Sequence, residues 1–150
     1  MSAKIFPTAQ DAENAFYEAL ERCDLDGMMA VWAEDEDVLC VHPTGGRLTG
    51  QDQVRESWAQ MFAAGPRARL QVSQQVAIAG MMLAVHSVFE NFSLEGAAPG
   101  DARPAPIVAT NVYLRTAAGW RMVAHHASPA PATGAVETEP RRATPPKTLH

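Results

Sequence analysis

Histidine is the side chain best suited to moving protons near neutral pH, and four of the five in this chain lie in or beside apolar, strand-like runs: His42, His86, His125 and His126. Successive residues of a strand point to opposite faces, so the adjacent pair His125–His126 cannot grip one ion or serve one pocket. If Trp120, Met122 and Ala124 face the interior, His126 and Ser128 do too, and His125 turns outward. A single bulge would invert that parity. His42 closes the run Val38–His42, stopped by Pro43, where a strand end can reach the mouth of a cavity. His86 sits in mid-strand with no partner indicated. No HxH, HExxH or CxxC spacing occurs, so neither a metal site nor a cofactor is expected. No serine or cysteine occupies a nucleophile elbow. Cys23 and Cys40 sit among apolar residues and read as buried free thiols, which fits a reducing, cytoplasmic setting.

These side chains need elements to hold them. Thr8, with Asp11 three residues on, reads as the cap of a helix with Ala12, Phe16, Ala19, Leu20 and Cys23 on one face and Tyr17 beside that stripe. Asp24 caps a second, short helix carrying Leu25, Met28, Met29 and Trp32, although Gly27 within it costs helix stability. After the acidic run Glu34–Asp37, read as a solvated turn, comes the strand Val38–His42 and then a turn at Thr44–Gly46. Helix three, Gln51 to Ala64, puts Val54, Trp58, Met61 and Phe62 on one side and ends at Gly65–Pro66. The rest of the domain reads as strands over Leu70–Ile78, Met81–Leu94, Ile107–Thr116 and Trp120–Ser128, the last two joined by a tight turn at Thr116–Gly119. The strand Met81–Leu94 is apolar on both faces, so helices must cover one and a second subunit is the simplest cover for the other.

The chain's 150 residues suit one domain with a real core. A net charge of −5 and the lack of any Lys/Arg cluster with interleaved aromatics argue against nucleic acid as a partner. No apolar run is long enough to span a membrane, and the first residues do not read as a secretory signal. Residues 1–7 read as an N-terminal extension and 8–130 as the domain. The Pro-, Ala- and Thr-rich stretch 131–150 reads as a disordered tail, with partner docking through its prolines or Arg141–Arg142 as the alternative.

The order of elements, helices folded onto a curved antiparallel sheet, resembles the α+β cone of nuclear transport factor 2. The segment EDEDVLCVHPTGGRLTGQDQVRESW (Glu34–Trp58) resembles the one that opens the sheet in SnoaL-like domains, and ATNVYLRTAAGWRMVAHHASP (Ala109–Pro129) resembles their closing hairpin. The resemblance implies an NTF2-like cone with three N-terminal helices on a curved, mainly antiparallel sheet, holding a small, mostly apolar molecule in a conical pocket. The pocket's walls would be Phe16, Trp32, Trp58, Met61 and Phe62, and its polar groups Tyr17, His42, Glu90, Asn111 and His126. Relatives that isomerise or cyclise their substrates use a carboxylate base. Strand one here offers Cys40 and His42 in place of an aspartate. His42 or His126 is therefore the expected base, with Tyr17 and Asn111 donating to a developing oxyanion. A fold hosts many functions, so three readings stand together: a dimeric binder with proton-transfer chemistry, a non-catalytic binding or regulatory domain, and an assembly module whose cone is filled by side chains.

Overall fold

The structure, a computed structural model, describes residues 4–34, 37–65, 67–96, 98, 100 and 104–131. The disorder expected of the tail and the middle of the acidic turn lie outside them. Among the described residues no helix is long and apolar enough to cross a membrane.

Helix α1 (Ala9–Arg22) starts where the sequence expects: the Thr8 hydroxyl accepts from the Asp11 N–H at 3.0 Å and donates to the Asp11 carboxyl at 2.8 Å. It ends at Cys23, whose left-handed backbone (φ 55°) turns the chain straight into α2 (Leu25–Val31). Asp24 caps α2 by accepting from Gly27 N–H at 3.0 Å. Gly27 is the residue this cap requires, since a Cβ there would stand 2.5 Å from the Asp24 carboxyl. Phe16, Ala12 and Ala19 of α1 and Met28 and Val31 of α2 are buried, and Trp32 joins them in the core.

Strands β1 (Leu39–Val41) and β2 (Arg47–Thr49) precede α3 (Gln51–Ala64). Then come β3 (Ala68–Ala79), β4 (Leu83–Leu94), β5 (Ile107–Thr116) and β6 (Gly119–Pro129). They form one six-stranded sheet in the order β2-β1-β6-β5-β4-β3, antiparallel except where β1 runs parallel to β6. The sequence reading has no β2. Its three residues pair with Leu39–Val41, and that pairing alone makes them a strand. Three helices on a curved, mostly antiparallel sheet is the architecture the sequence led us to expect. The edge of the fold is closed from the N-terminus, where Phe6, buried, bridges to Gly119 and accepts from the Trp120 N–H at 2.9 Å. Gly119 has φ +97°, and a Cβ on it would meet the Phe6 backbone at 3.0 Å. A glycine satisfies both demands.

The parity expected of β6 is wrong from its middle onward. The β5–β6 register steps from Val112↔Ala124 to Tyr113↔Met122, so Val123 is an extra residue in the ladder. This bulge keeps Trp120 and Met122 inside but reverses the facing of the residues beyond it. His125 and Ala127 point in and are buried, while His126 and Ser128 are exposed on the outer face.

One row of the concave face therefore crosses four strands in register: Cys40, His125, Asn111 and His86. On β4 the alternation that buries Ala84 and Val88 also buries His86 and Glu90. The opposite face carries Val76, Ile78, Leu83, Val85 and Phe89, the first three exposed, with no element among the described residues over them.

Candidate functional site

Two residues one helical turn apart on α1, Glu13 and Tyr17, hang over the polar row of the sheet. Glu13 is 2% exposed and gathers four contacts. Its Oε2 lies 2.8 Å from the Tyr113 hydroxyl, 3.1 Å from His86 Nδ1 and 3.2 Å from Asn111 Nδ2, and its Oε1 accepts from Gln75 Nε2 at 2.6 Å. The Tyr17 hydroxyl donates to Glu90 Oε2 at 2.6 Å and accepts from Asn111 Nδ2 at 2.9 Å. Asn111 thus spends both amide hydrogens, on Glu13 and Tyr17. Its Oδ1, 2.6 Å from His125 Nδ1, must accept. That bond assigns His125 as the tautomer protonated on Nδ1, leaving Nε2 a bare lone pair.

Enclosure tunes these groups in opposite directions. Burial pushes the Glu90 carboxyl up to about 7, with the nearby Glu13 adding to the rise and the Tyr17 hydrogen bond holding it back. Burial also draws His125 down to about 3, helped by His42 and His126 on either side, so it is neutral at physiological pH. Tyr17 is held far above the ordinary phenol range by burial and then by Glu90. Tyr113 rises for the same reason, with Glu13 second. Burial lifts the Cys40 thiol to about 12, Glu90 contributing, which makes it an inert member of the row.

The structure brings three of the expected site residues together: Tyr17, Glu90 and Asn111. Trp32 and Trp58 lie in the core at 0% and 1% exposure, with Phe16 ring-to-ring against both, 6.5 Å from Trp32 and 5.7 Å from Trp58. Phe62, half-buried, packs 5.7 Å from Trp58. These rings fill the end of the cone where apolar pocket walls were expected. His42 is half-buried between β1 and α3. Its Nε2 donates to Ser57 Oγ at 3.0 Å, because the Ser57 hydroxyl is committed to the Val54 carbonyl at 2.8 Å. Burial lowers its pKa, and its ring meets Trp58 edge-on at 4.6 Å. Trp58 also stands 6.0 Å from His125, so His42 neighbours the polar centre across an indole. His126, expected inside, is outside.

Sequence reasoning missed Glu13, His86, Tyr113 and His125. Two signals were present. Glu13 falls between the buried Ala12 and Phe16 and one turn before Tyr17, and His86 shares a strand parity with Glu90. Among the described residues no three His, Cys, Asp or Glu side chains are grouped so as to hold a metal ion.

A cavity of about 510 Å³ between α1 and β3 reaches this centre, with Glu13, Tyr17 and Gln75 in its lining. A larger one of about 610 Å³, near Glu21, Leu70 and Phe92, touches none of these groups. The first is the approach that matters. Its lining of amides, two hydroxyls and a carboxyl is more polar than the sequence led us to expect.

A family model for the SnoaL-like domain matches residues 10–133. Among solved structures, the chain is similar to a Thiobacillus denitrificans protein provisionally described as a calcium/calmodulin-dependent protein kinase type II association domain. The identity is 44% over 85% of this chain and 99% of that one, with a TM-score of 0.77. It is also similar to a Streptomyces avermitilis protein provisionally described as a dehydratase of the NTF2-like family, at 32% identity over 81% and 92% of the two chains and a TM-score of 0.71. A provisional ketosteroid isomerase from Parabacteroides distasonis, 20% identical over 81% and 86% with a TM-score of 0.65, shares the fold. Comparison with curated proteins gave no match.

Proposed function

This chain belongs to the SnoaL-like domain family, and from that membership we propose that it binds a small molecule in the α1–β3 groove and moves a proton on it, with Glu90 as base and Tyr17 as the oxyanion donor. One observation carries this reading: a buried carboxyl poised at about 7 is bonded at 2.6 Å to a phenol that lines the groove. A base works best when its pKa sits near the working pH. Because Tyr17 stands between Glu90 and the groove, its hydroxyl would first leave Glu90 for the ligand oxygen that gains charge, freeing the carboxylate to take the proton from carbon. Asn111, donating to the phenol oxygen, polarises the O–H for that task. The relative described as a dehydratase is consistent with chemistry that begins with proton loss. In this reading the base is a glutamate on β4, in place of the expected His42 or His126.

The test is exchange of α-protons for deuterium in a panel of small ketones in D₂O, read by proton NMR. Wild-type protein should accelerate exchange, and Glu90→Gln should lose on the order of 100-fold of that acceleration. Equal rates for the two proteins would remove Glu90 as the base.

A second reading concerns assembly and is compatible with the first. The uncovered apolar face of β3–β5 suits a second copy of this chain, in keeping with a 44% identical relative described as an association domain. Val85, half-buried, is central on that face. Val85→Asp should convert a dimer to a folded monomer by sedimentation velocity, with its circular dichroism spectrum unchanged. A wild-type protein already monomeric at tens of micromolar would end this reading.

A further inference from the structure

The lining of the α1–β3 groove has a consistent sign. Four amides, the Tyr17 and Ser73 hydroxyls and the Glu13 carboxyl supply its polar side chains, and no Lys, Arg or His is among the described residues lining it. Its one charged group among them, Glu13, is almost wholly enclosed, and Glu90 stands directly behind Tyr17. An anionic ligand would find nothing to neutralise it there.

Gln75 shows where a ligand nitrogen would sit. The ladder between β3 and β4 jumps from Ser73 to Val76, and Gln74 within the jump has φ +52°, a left-handed conformation that costs a non-glycine residue energy. The bulge turns the Gln75 side chain over the groove. Its Nε2 lies 2.6 Å from Glu13 Oε1 and 2.9 Å from Gln10 Oε1, with His86 Nδ1 farther off at 3.5 Å. The polarity of Gln10 is set from its other side, because its own nitrogen donates to Asn14 Oδ1 at 3.0 Å. Two acceptors therefore converge on one nitrogen, one of them a carboxyl oxygen, and the nitrogen belongs to an exposed residue that can swing away.

We infer that the groove takes a small organic cation, a protonated primary amine, whose ammonium replaces the Gln75 carboxamide nitrogen against Glu13 and Gln10. This rests on the groove being the approach to the Tyr17–Glu90 pair, and it names the class of ligand that approach selects. An ammonium has three donors to an amide's two and carries the charge that matches Glu13. Gln75 acts as a resident stand-in: it keeps the buried carboxyl bonded while the groove is empty and competes with the ligand when one arrives.

The test is a ¹H–¹⁵N NMR titration of the full chain with three probes of one shape: n-butylammonium, butyrate and 1-butanol. Butylammonium should give saturable shifts at Glu13, Tyr17 and Gln75, and butyrate none. Gln75→Ala should tighten butylammonium at least fivefold, because the competitor is gone, and Glu13→Gln should weaken it at least tenfold. If Glu13→Gln does not fold, Gln75→Ala decides alone: an affinity unchanged or weakened there overturns the proposal. Equal binding of butyrate or butanol overturns the charge selection and leaves the groove as a binding site. Absence of saturable butylammonium shifts in both wild type and Gln75→Ala also overturns it. Ketone exchange that fails while butylammonium still binds would remove proton transfer and leave the cation site standing.

Discussion

Replacing Glu90 with Gln will raise the stability of this domain at pH 8 and leave it nearly unchanged at pH 5. In the folded protein the Glu90 carboxyl titrates at about 7, against an ordinary value of 4.5. A carboxyl whose folded value is raised stabilises the fold below its unfolded value and loses that contribution as pH rises through the folded one. The cost of holding the charged form inside is then about 3 kcal/mol above pH 7, on the order of 10 °C in Tm. Gln keeps an acceptor for the Tyr17 hydroxyl and carries no charge, so the cost disappears. His125 works in the opposite sense. Its folded value is about 3 against 6.5 unfolded, so its contribution is intact above pH 6.5 and lost progressively as pH falls towards 3.

Between about pH 4.5 and 6.5 the two slopes are equal and opposite, each about 1.4 kcal/mol per pH unit, and the wild-type protein should show almost no pH dependence from this pair. Single substitutions unmask them. Glu90→Gln should lose stability steadily from pH 6.5 downward, and His125→Asn, which retains a donor for Asn111, should lose it from pH 4.5 upward. Urea denaturation at half-unit pH steps reads both slopes. Parallel pH profiles for wild type and Glu90→Gln would show that Glu90 titrates as an ordinary surface carboxylate.

How much of this centre was legible before the fold was known depends on which contacts are local. Thr8, Asp11 and Asp24 announce their caps within three residues, and the turn at Thr116–Gly119 closes on itself, so the helices and the final hairpin read correctly. Strand β2 did not, because Arg47–Thr49 carries no periodicity of its own and exists by pairing with β1. The reversal of His125 and His126 hangs on one extra residue, Val123, with neither glycine nor proline to mark it; the register between β5 and β6 decides it. Tyr17, Glu90 and Asn111 were named as polar groups and do meet, although they are up to 94 residues apart. Glu13 escaped because helix faces were read by their apolar members. A glutamate inside a buried stripe breaks the local pattern, and such breaks are where functional groups are found.

Glu13 is also where the largest loss of stability is expected. Glu13→Ala removes the acceptor shared by Tyr113, Asn111, His86 and Gln75, and the first two are fully buried. Each enclosed donor left without a partner costs about 1–3 kcal/mol, and Gln75 alone can turn to water. The total is about 3–5 kcal/mol, a large share of the 5–15 kcal/mol typical of a domain. Urea unfolding should give that loss with an unchanged m-value. A simple packing role predicts a similar loss, so a double-mutant cycle separates the two. Tyr113→Phe alone should cost about 1 kcal/mol, because it removes a bonded hydroxyl. Added to Glu13→Ala it should be stabilising, because it removes an orphaned one. Two substitutions whose costs simply add would mean that Glu13 fills space beside Tyr113 without holding its hydroxyl, and the polar centre would then lack the rigidity that keeps Tyr17 aimed at Glu90.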